Sequence, residues 1–170
     1  MDKERIVLRS ALDLEHRIAD MPAGLVTFDG APHAGKTWLA REMGRALGRP
    51  AIDFDCYLNR QQGTFIDALR ITELMHAIDK ARTDSPVVLL SGICMLRVLD
   101  MAKLHAALSI YVQRLSPMGI PNDLDTTDAE DGMRFDDDPG IPPLFKEIHL
   151  YHADYRPLAN ADIVYRRTAD

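Results

Sequence analysis

The spacing of apolar residues along the chain changes repeatedly between a strand pattern and a helical pattern. Short apolar runs predict five strands, at 25–28, 51–55, 86–90, 108–113 and 161–165. Apolar residues three or four positions apart predict helices at roughly 3–19, directly behind residue 37, and at about 64–82, 95–105 and 144–155. Residues 116–143 follow neither period and are rich in Pro, Gly, Asp and Thr. We therefore predict an insert there, of the kind that often forms a lid.

The order of these elements predicts the fold class. Strands alternate with helices, which is typical of an α/β fold with a parallel sheet and right-handed crossovers. A length of 170 residues, 46% of them hydrophobic, suits one domain with one core. The helix at 3–19 precedes the first strand, so it could cover a face of the sheet or an oligomer interface. We expect a monomer or a homodimer.

The sharpest motif lies directly behind the first predicted strand. The eight residues Gly30-Ala31-Pro32-His33-Ala34-Gly35-Lys36-Thr37 fit G-x-x-x-x-G-K-[ST], the phosphate-binding P-loop, or Walker A motif. Strand, glycine loop and amphipathic helix is the context that this motif requires. In such a loop, backbone N–H groups and the N-terminus of the following helix bind phosphate. Lys36 would reach the β- and γ-phosphates, and Thr37 would bind Mg²⁺.

Charge along the chain is uneven. The net charge is −6, yet eight acids against Arg134 alone lie within residues 122–138. An acidic block of this kind repels polyanions, so we expect no nucleic-acid partner. Such an insert could instead cover a cationic substrate or face a basic partner surface. Neutralising Asp136, Asp137 and Asp138 should then weaken binding of that substrate and leave ATP affinity unchanged.

Three features of the sequence indicate where in the cell the protein is located. Cys56 and Cys94 have no C-x-x-C spacing, which favours free thiols in a reducing cytoplasm. No stretch approaches the roughly 20 apolar residues that span a bilayer. The sequence begins with charged residues rather than a leader peptide. We therefore expect a cytoplasmic protein without a membrane partner.

Three features together resemble the P-loop kinases of small molecules, in particular the uridine kinase and phosphoribulokinase group. They are the P-loop, Asp55-Cys56-Tyr57 after the second predicted strand, and the segment from Tyr151 to Pro157 followed by Ala161-Asp162-Ile163-Val164. The resemblance covers about residues 25–167. It implies a three-layer P-loop NTPase fold whose five-stranded sheet has the order 2-3-1-4-5, here with an extra N-terminal helix. It also implies Mg²⁺ and ATP as cofactors and an arginine-bearing lid.

The resemblance assigns roles to the acids near the second strand. Asp55 matches the carboxylate that takes the proton from the substrate hydroxyl. Asp53 is the alternative base or metal ligand. The family usually has an acid after the third strand, where this chain has Ser91-Gly92, so Asp55 would also serve Mg²⁺.

Few other charged residues are candidates for nucleotide binding. The insert is acidic where such kinases carry arginines, and only Arg114 and Arg134 are in range. Arg156 could stack on adenine or pair with a carboxylate. The side chain of His33, within the loop, is expected to face solvent or substrate rather than to catalyse.

Two functions are compatible with these residues. The first is an ATP-dependent kinase that phosphorylates a hydroxyl of a nucleoside-like or sugar-like metabolite, with Asp55, Lys36 and Asp53 as its catalytic candidates. The second is a nucleotide-binding module that has lost transfer chemistry and uses the acidic insert as an interaction surface. They differ in the fate of the γ-phosphate.

Overall fold

The computed structural model describes residues 5–60, 63–134 and 138–168. Within these ranges, six strands form one parallel sheet. They are β1 (Ile6–Leu8), β2 (Gly24–Asp29), β3 (Ala51–Asp53), β4 (Val87–Ser91), β5 (Ala106–Leu115) and β6 (Ile163–Thr168). Their order across the sheet is β1-β6-β5-β2-β4-β3. The predicted α/β class and parallel sheet are confirmed.

The prediction of five strands in the order 2-3-1-4-5 is wrong, because β1 adds a strand at the edge beside β6. Residues Ile6 to Leu8, expected within the helix at 3–19, pair with residues Ile163 to Tyr165. Their apolar spacing also fits a helix, but pairing with β6 satisfies their backbone groups along the sheet edge. Helix α1 (Ala11–Ala19) begins only after Ser10, whose side chain accepts a hydrogen bond from the backbone N–H of Asp13 at 3.2 Å.

The remaining helices of the described residues lie between successive strands. They are α2 (Lys36–Leu47), α3 (Phe65–Ala68), α4 (Ile71–Asp84), α5 (Met95–Ala102), α6 (Leu124–Asp128), α7 (Pro143–Tyr155) and α8 (Pro157–Asn160). Short 3₁₀ helices cover Phe54–Tyr57 and Ala129–Asp131. No helix in the described part of the chain has both the length and the apolar character needed to cross a membrane.

One expected helix, at 64–82, is two helices. The backbone becomes extended at Leu69, and the Leu58 and Leu69 backbones form an antiparallel bridge. The N–H of Arg70 donates to the carbonyl oxygen of Tyr57 at 2.8 Å, and the N–H of Asn59 donates to that of Ala68 at 2.7 Å. These bonds hold α3 against the segment that follows β3, so the break shapes the site described below.

Helices cover both faces of the sheet. On one face, α1 and α2 pack on alternate residues of the central strands, such as Val26, Phe28, Leu89 and Ile110. On the other face, α4, α5 and α7 pack on residues such as Leu25, Val88 and Leu90. Because side chains alternate along a strand, the apolar runs of β2 and β4 supply both cores.

The acidic insert, residues 116–143, contains α6 and the second 3₁₀ helix, although its sequence follows neither the strand nor the helix period. Asp123 is buried and accepts hydrogen bonds from the Tyr111 hydroxyl at 2.8 Å and from Gln113 Nε2 at 3.1 Å. Glu130 accepts three further hydrogen bonds in the interior. Part of the acidic charge therefore holds the insert on the sheet. Asp136 and Asp137 lie outside the described residues.

Candidate functional site

The loop between β2 and α2 is turned by three residues in the left-handed region. Gly30, His33 and Gly35 have φ values of 140°, 63° and 91°. A Cβ at Gly30 would lie 2.4 Å from the carbonyl oxygen of Val112 on β5, so only glycine fits there. Gly35 is the N-cap of α2, and its conformation brings the loop directly into the helix. The loop therefore presents its backbone N–H groups beside a helix N-terminus.

Lys36 and Thr37 lie in the first turn of α2. Lys36 is buried, and its Nζ folds back to donate to the carbonyl oxygen of Ala31 at 2.6 Å. Burial lowers the pKa of Lys36, and nearby carboxylates, Asp29 foremost, oppose this shift. The Thr37 hydroxyl lies 3.4 Å from that of Ser91, the last residue of β4. Ser91 thus lies beside Thr37 at the strand end where the kinases that the sequence resembles usually have an acid.

A cavity of about 740 Å³ opens beside the loop. It brings Asp55 together with five predicted residues of the loop, Pro32, His33, Gly35, Lys36 and Thr37. Its wall opposite the loop is formed by α3 and by the segment that follows the first 3₁₀ helix. The other lining residues are Trp38, Leu58, Asn59, Arg60, Gly63, Thr64, Phe65, Ala68, Gly92, Ile93 and Leu144.

The two aspartates after the second predicted strand differ in position. Asp55 lies on the first 3₁₀ helix and lines the cavity. Burial raises its pKa, the charge of Asp53 raises it further, and Lys36 lowers it. Asp53 caps the 3₁₀ helix by accepting from the N–H of Asp55 at 3.1 Å, and it lies 3.5 Å from Arg41. Asp53 is not among the residues that line the cavity.

The predicted arginines are split between two places. Arg114, on β5, borders a smaller cavity of about 90 Å³ on the other side of the loop, and its Nε is buried without a hydrogen-bond partner. Arg156 is exposed in the turn after α7, and it does not line either cavity. Arg167, near the end of β6, has its guanidinium carbon 5.2 Å from the ring centre of Trp38. The structure thus brings Arg167 to the start of α2 and leaves Arg156 away from the loop.

Sequence analysis missed a buried acid at the entrance of the loop. Asp29, the last residue of β2, accepts a hydrogen bond from the N–H of Gly30 at 2.8 Å and a second from the Tyr151 hydroxyl of α7. Burial raises the pKa of Asp29, and these hydrogen bonds together with the charges of His152 and Lys36 lower it. An acid that ends an apolar strand was the available signal, whereas Tyr151 entered the sequence analysis only as the start of a segment that resembles the kinases.

The residues present fit a nucleotide triphosphate better than a preformed metal centre. The loop N–H groups, the α2 N-terminus and Lys36 match the charge of phosphates. In the described part of the chain, no group of three or more His, Cys, Asp or Glu side chains could hold a metal ion. Thr37 and Asp55 offer oxygen ligands, which suit a Mg²⁺ ion that is bound chiefly by phosphates and water.

Comparison with solved structures gives one match that agrees with the fold described above. A possible uridine kinase from Bacillus stearothermophilus matches over 91% of this chain and 96% of its own, with a TM-score of 0.57 and 14% sequence identity. A protein assigned as a fructose transport system kinase from Silicibacter sp. TM1040 matches over 94% and 98%, with a TM-score of 0.43 and 19% identity. No protein-family model and no curated protein matches the sequence. The first likeness shows that the chain shares the overall fold of that structure.

Proposed function

We propose that this protein is an ATP-dependent phosphotransferase that moves the γ-phosphate to a hydroxyl of a small metabolite, nucleoside-like or sugar-like. One observation carries the proposal: Lys36, Thr37 and Asp55 line the same cavity, although Asp55 is far from the loop in sequence. Phosphoryl transfer depends chiefly on positioning and charge stabilisation, and a phosphate loop facing a carboxylate provides both.

Each residue has a defined part in the proposed reaction. The loop from Gly30 to Thr37 would hold the phosphates, and Lys36 would exchange the Ala31 carbonyl for a phosphate oxygen. Thr37 and Asp55 would bind Mg²⁺. Bound Mg·ATP supplies the transferable phosphoryl group and the metal charge. Asp55 would accept the proton of the acceptor hydroxyl. The oxygen of that hydroxyl bonds to the γ-phosphorus while the bond between the γ-phosphorus and the leaving ADP breaks.

The residues that line the cavity limit the chemical class of the acceptor. Asp55 is the one carboxylate among the described lining residues, whereas Lys36 and Arg60 are cationic. Phe65, Ile93 and Leu144 add apolar surface. The buried insert acids Asp123 and Glu130 do not line it. This composition favours a neutral or anionic acceptor with an apolar part over the cationic substrate that the acidic insert suggested.

The test measures ADP release from Mg·ATP with a panel of nucleosides, sugars, vitamins and amino alcohols. We expect turnover with at least one acceptor, and a fall in kcat of about 10²- to 10⁴-fold in Asp55→Asn. Nucleotide binding, followed by the fluorescence of Trp38, the chain's single tryptophan, should persist in that variant. Asp79→Asn, which replaces an exposed acid in α4, is the control.

Two other results would change the assignment. Loss of turnover in Asp53→Asn but not in Asp55→Asn would make Asp53 the base. Tight binding without turnover across the whole panel would contradict the kinase and favour the nucleotide-binding module. The observation that favours this second candidate is Ser91, which stands 3.4 Å from Thr37 where related kinases have an acid.

A further inference from the structure

Helix α7 contacts two segments beside the cavity, the residue that precedes the phosphate loop and the start of α3, through side chains one turn apart. Tyr151 contacts the loop side: its hydroxyl donates to Asp29 and accepts from the backbone N–H of Leu96 at 3.1 Å. Glu147 contacts the opposite wall, where its two carboxylate oxygens accept from the N–H groups of Phe65 at 2.6 Å and Ile66 at 3.0 Å. Residues four apart lie on the same face of a helix, so both contacts belong to one rigid surface.

The contact on the loop side fixes the first turn of the phosphate loop. Asp29 is 6% exposed, and a buried carboxylate is costly unless donors surround it. One oxygen accepts from the N–H of Gly30, and the other accepts from Tyr151. The direction in which the chain leaves β2 is therefore tied to the position of α7.

The contact on the opposite wall fixes α3. This helix has only four residues, and its N-cap residue Thr64 makes no capping hydrogen bond; the Thr64 hydroxyl donates to Asp67. Glu147 supplies the missing acceptors for the first N–H groups of α3. Phe65 and Ala68 of α3 line the cavity. The position of this wall therefore also depends on α7.

We propose that Asp29, Tyr151 and Glu147 are positioning residues that align the wall formed by α3 with the phosphate loop, with α7 as the rigid element between them. This inference rests on the proposed function, because the alignment serves transfer between a nucleotide at the loop and an acceptor at the wall. Nucleotide binding at the loop changes the position or the mobility of Asp29. Tyr151 transmits this change to α7, and Glu147 transmits it from α7 to α3.

Hydrogen exchange of the full chain, with Mg·ADP as the probe, tests the link. In the wild type, Mg·ADP should slow amide exchange in residues 30–37 and also, by roughly two- to thirtyfold, at Phe65 and Ile66. In Tyr151→Phe the loop should keep its protection, and the change at Phe65 and Ile66 should disappear. Tyr155→Phe removes a hydroxyl one turn further along α7, bonded to Asp100 at an exposed position, and should behave like the wild type.

A second variant tests the same link in case Tyr151→Phe does not fold. Glu147→Gln keeps the size of the side chain and should also lose the transmitted change, while Asp154→Asn, an exposed acid of the same helix, should retain it. Protection at Phe65 and Ile66 that persists in both Tyr151→Phe and Glu147→Gln would overturn the inference, as would its absence from a wild type whose loop is protected. No protection even at the loop would instead contradict the proposed nucleotide binding.

Discussion

At the scale of single residues, the aspartates of this chain differ in function because their surroundings differ. Asp29 is buried between two hydrogen-bond donors, Asp53 caps a turn, and Asp55 lines the cavity. Asp123 connects the start of α6 to β5 through hydrogen bonds from Tyr111 and Gln113. A carboxylate acts as anchor, cap or base according to its burial and its donors. Burial and hydrogen-bond donors therefore distinguish the positioning acid Asp29 from the proposed base Asp55.

The buried position of Asp29 predicts a pH-dependent stability. Burial raises its pKa above the usual 3.8, so in the window above 3.8 the folded protein holds a proton that the unfolded chain has released. The free energy of unfolding of the wild type should therefore fall, relative to that of Asp29→Asn, as the pH rises through this window. The slope is at most about 1.4 kcal/mol per pH unit. Denaturant unfolding of both proteins between about pH 3 and pH 7 measures it.

Asp79→Asn controls for the loss of a carboxylate as such, because Asp79 is exposed in the middle of α4. A difference between wild type and Asp29→Asn that stays constant across the window, or grows in the opposite direction, would contradict the prediction.

At the scale of elements, the acidic insert shows how composition and structure diverge. Its acids suggested a cover for a cationic substrate or a surface for a basic partner, but Glu130 is almost fully buried. Its carboxylate accepts from His152 Nδ1 and from the N–H groups of Leu158 and Ala159, each at 2.9 Å. Glu130 therefore joins the insert to the C-terminal part of α7 and to the start of α8.

Removing the charge of Glu130 should destabilise the fold. We expect Glu130→Gln to lower the free energy of unfolding by about 1–3 kcal/mol, because an amide has one acceptor oxygen where the carboxylate has two. Asp131→Asn, at the next and exposed position, should change it by less than about 0.5 kcal/mol. Chemical denaturation gives both values, and equal effects of the two substitutions would show that the hydrogen bonds of Glu130 add nothing.

At the scale of the whole molecule, the parallel sheet brings the pieces of the site together. β2 leads into the phosphate loop, β3 leads into the 3₁₀ helix with Asp55, and β4 ends at Ser91. The carboxyl ends of parallel strands meet at one edge of a sheet, which is where such folds bind ligands. Side chains of α7 contact the end of β2 and the start of α3.

Ligand binding at this edge should stabilise the whole domain. A nucleotide present at one hundred times its Kd adds about 2.7 kcal/mol to the free energy of unfolding. For a chain of this size, that corresponds to a rise in Tm of about 5–11 °C. We expect this rise for the wild type with Mg·ATP in differential scanning calorimetry. Lys36→Met should lose it, and Lys80→Met, an exposed lysine of α4, should keep it. A full rise in Lys36→Met would contradict phosphate binding at the loop.

The sequence by itself determined the features that depend on neighbours in the chain. The loop from Gly30 to Thr37 is contiguous, so its glycines, its lysine and the helix behind it are recognisable without a structure. The strands β2 and β4 are likewise recognisable from sequence, because a strand that is buried on both faces appears as a continuous run of apolar residues. From these followed the parallel α/β fold and the placement of Asp55 at the edge of the sheet.

Only the tertiary structure decided the features that depend on partners distant in sequence. Ile6 to Leu8 form a strand because β6 offers an open edge, and no local pattern distinguishes this from a helix. Asp29, Tyr151 and Glu147 acquire roles because folding places donors and acceptors from β2, α3 and α7 within hydrogen-bond distance. A hydrogen bond acts over about 3 Å in space and carries no trace in sequence spacing, so these contacts become visible only once the sheet has brought the segments together.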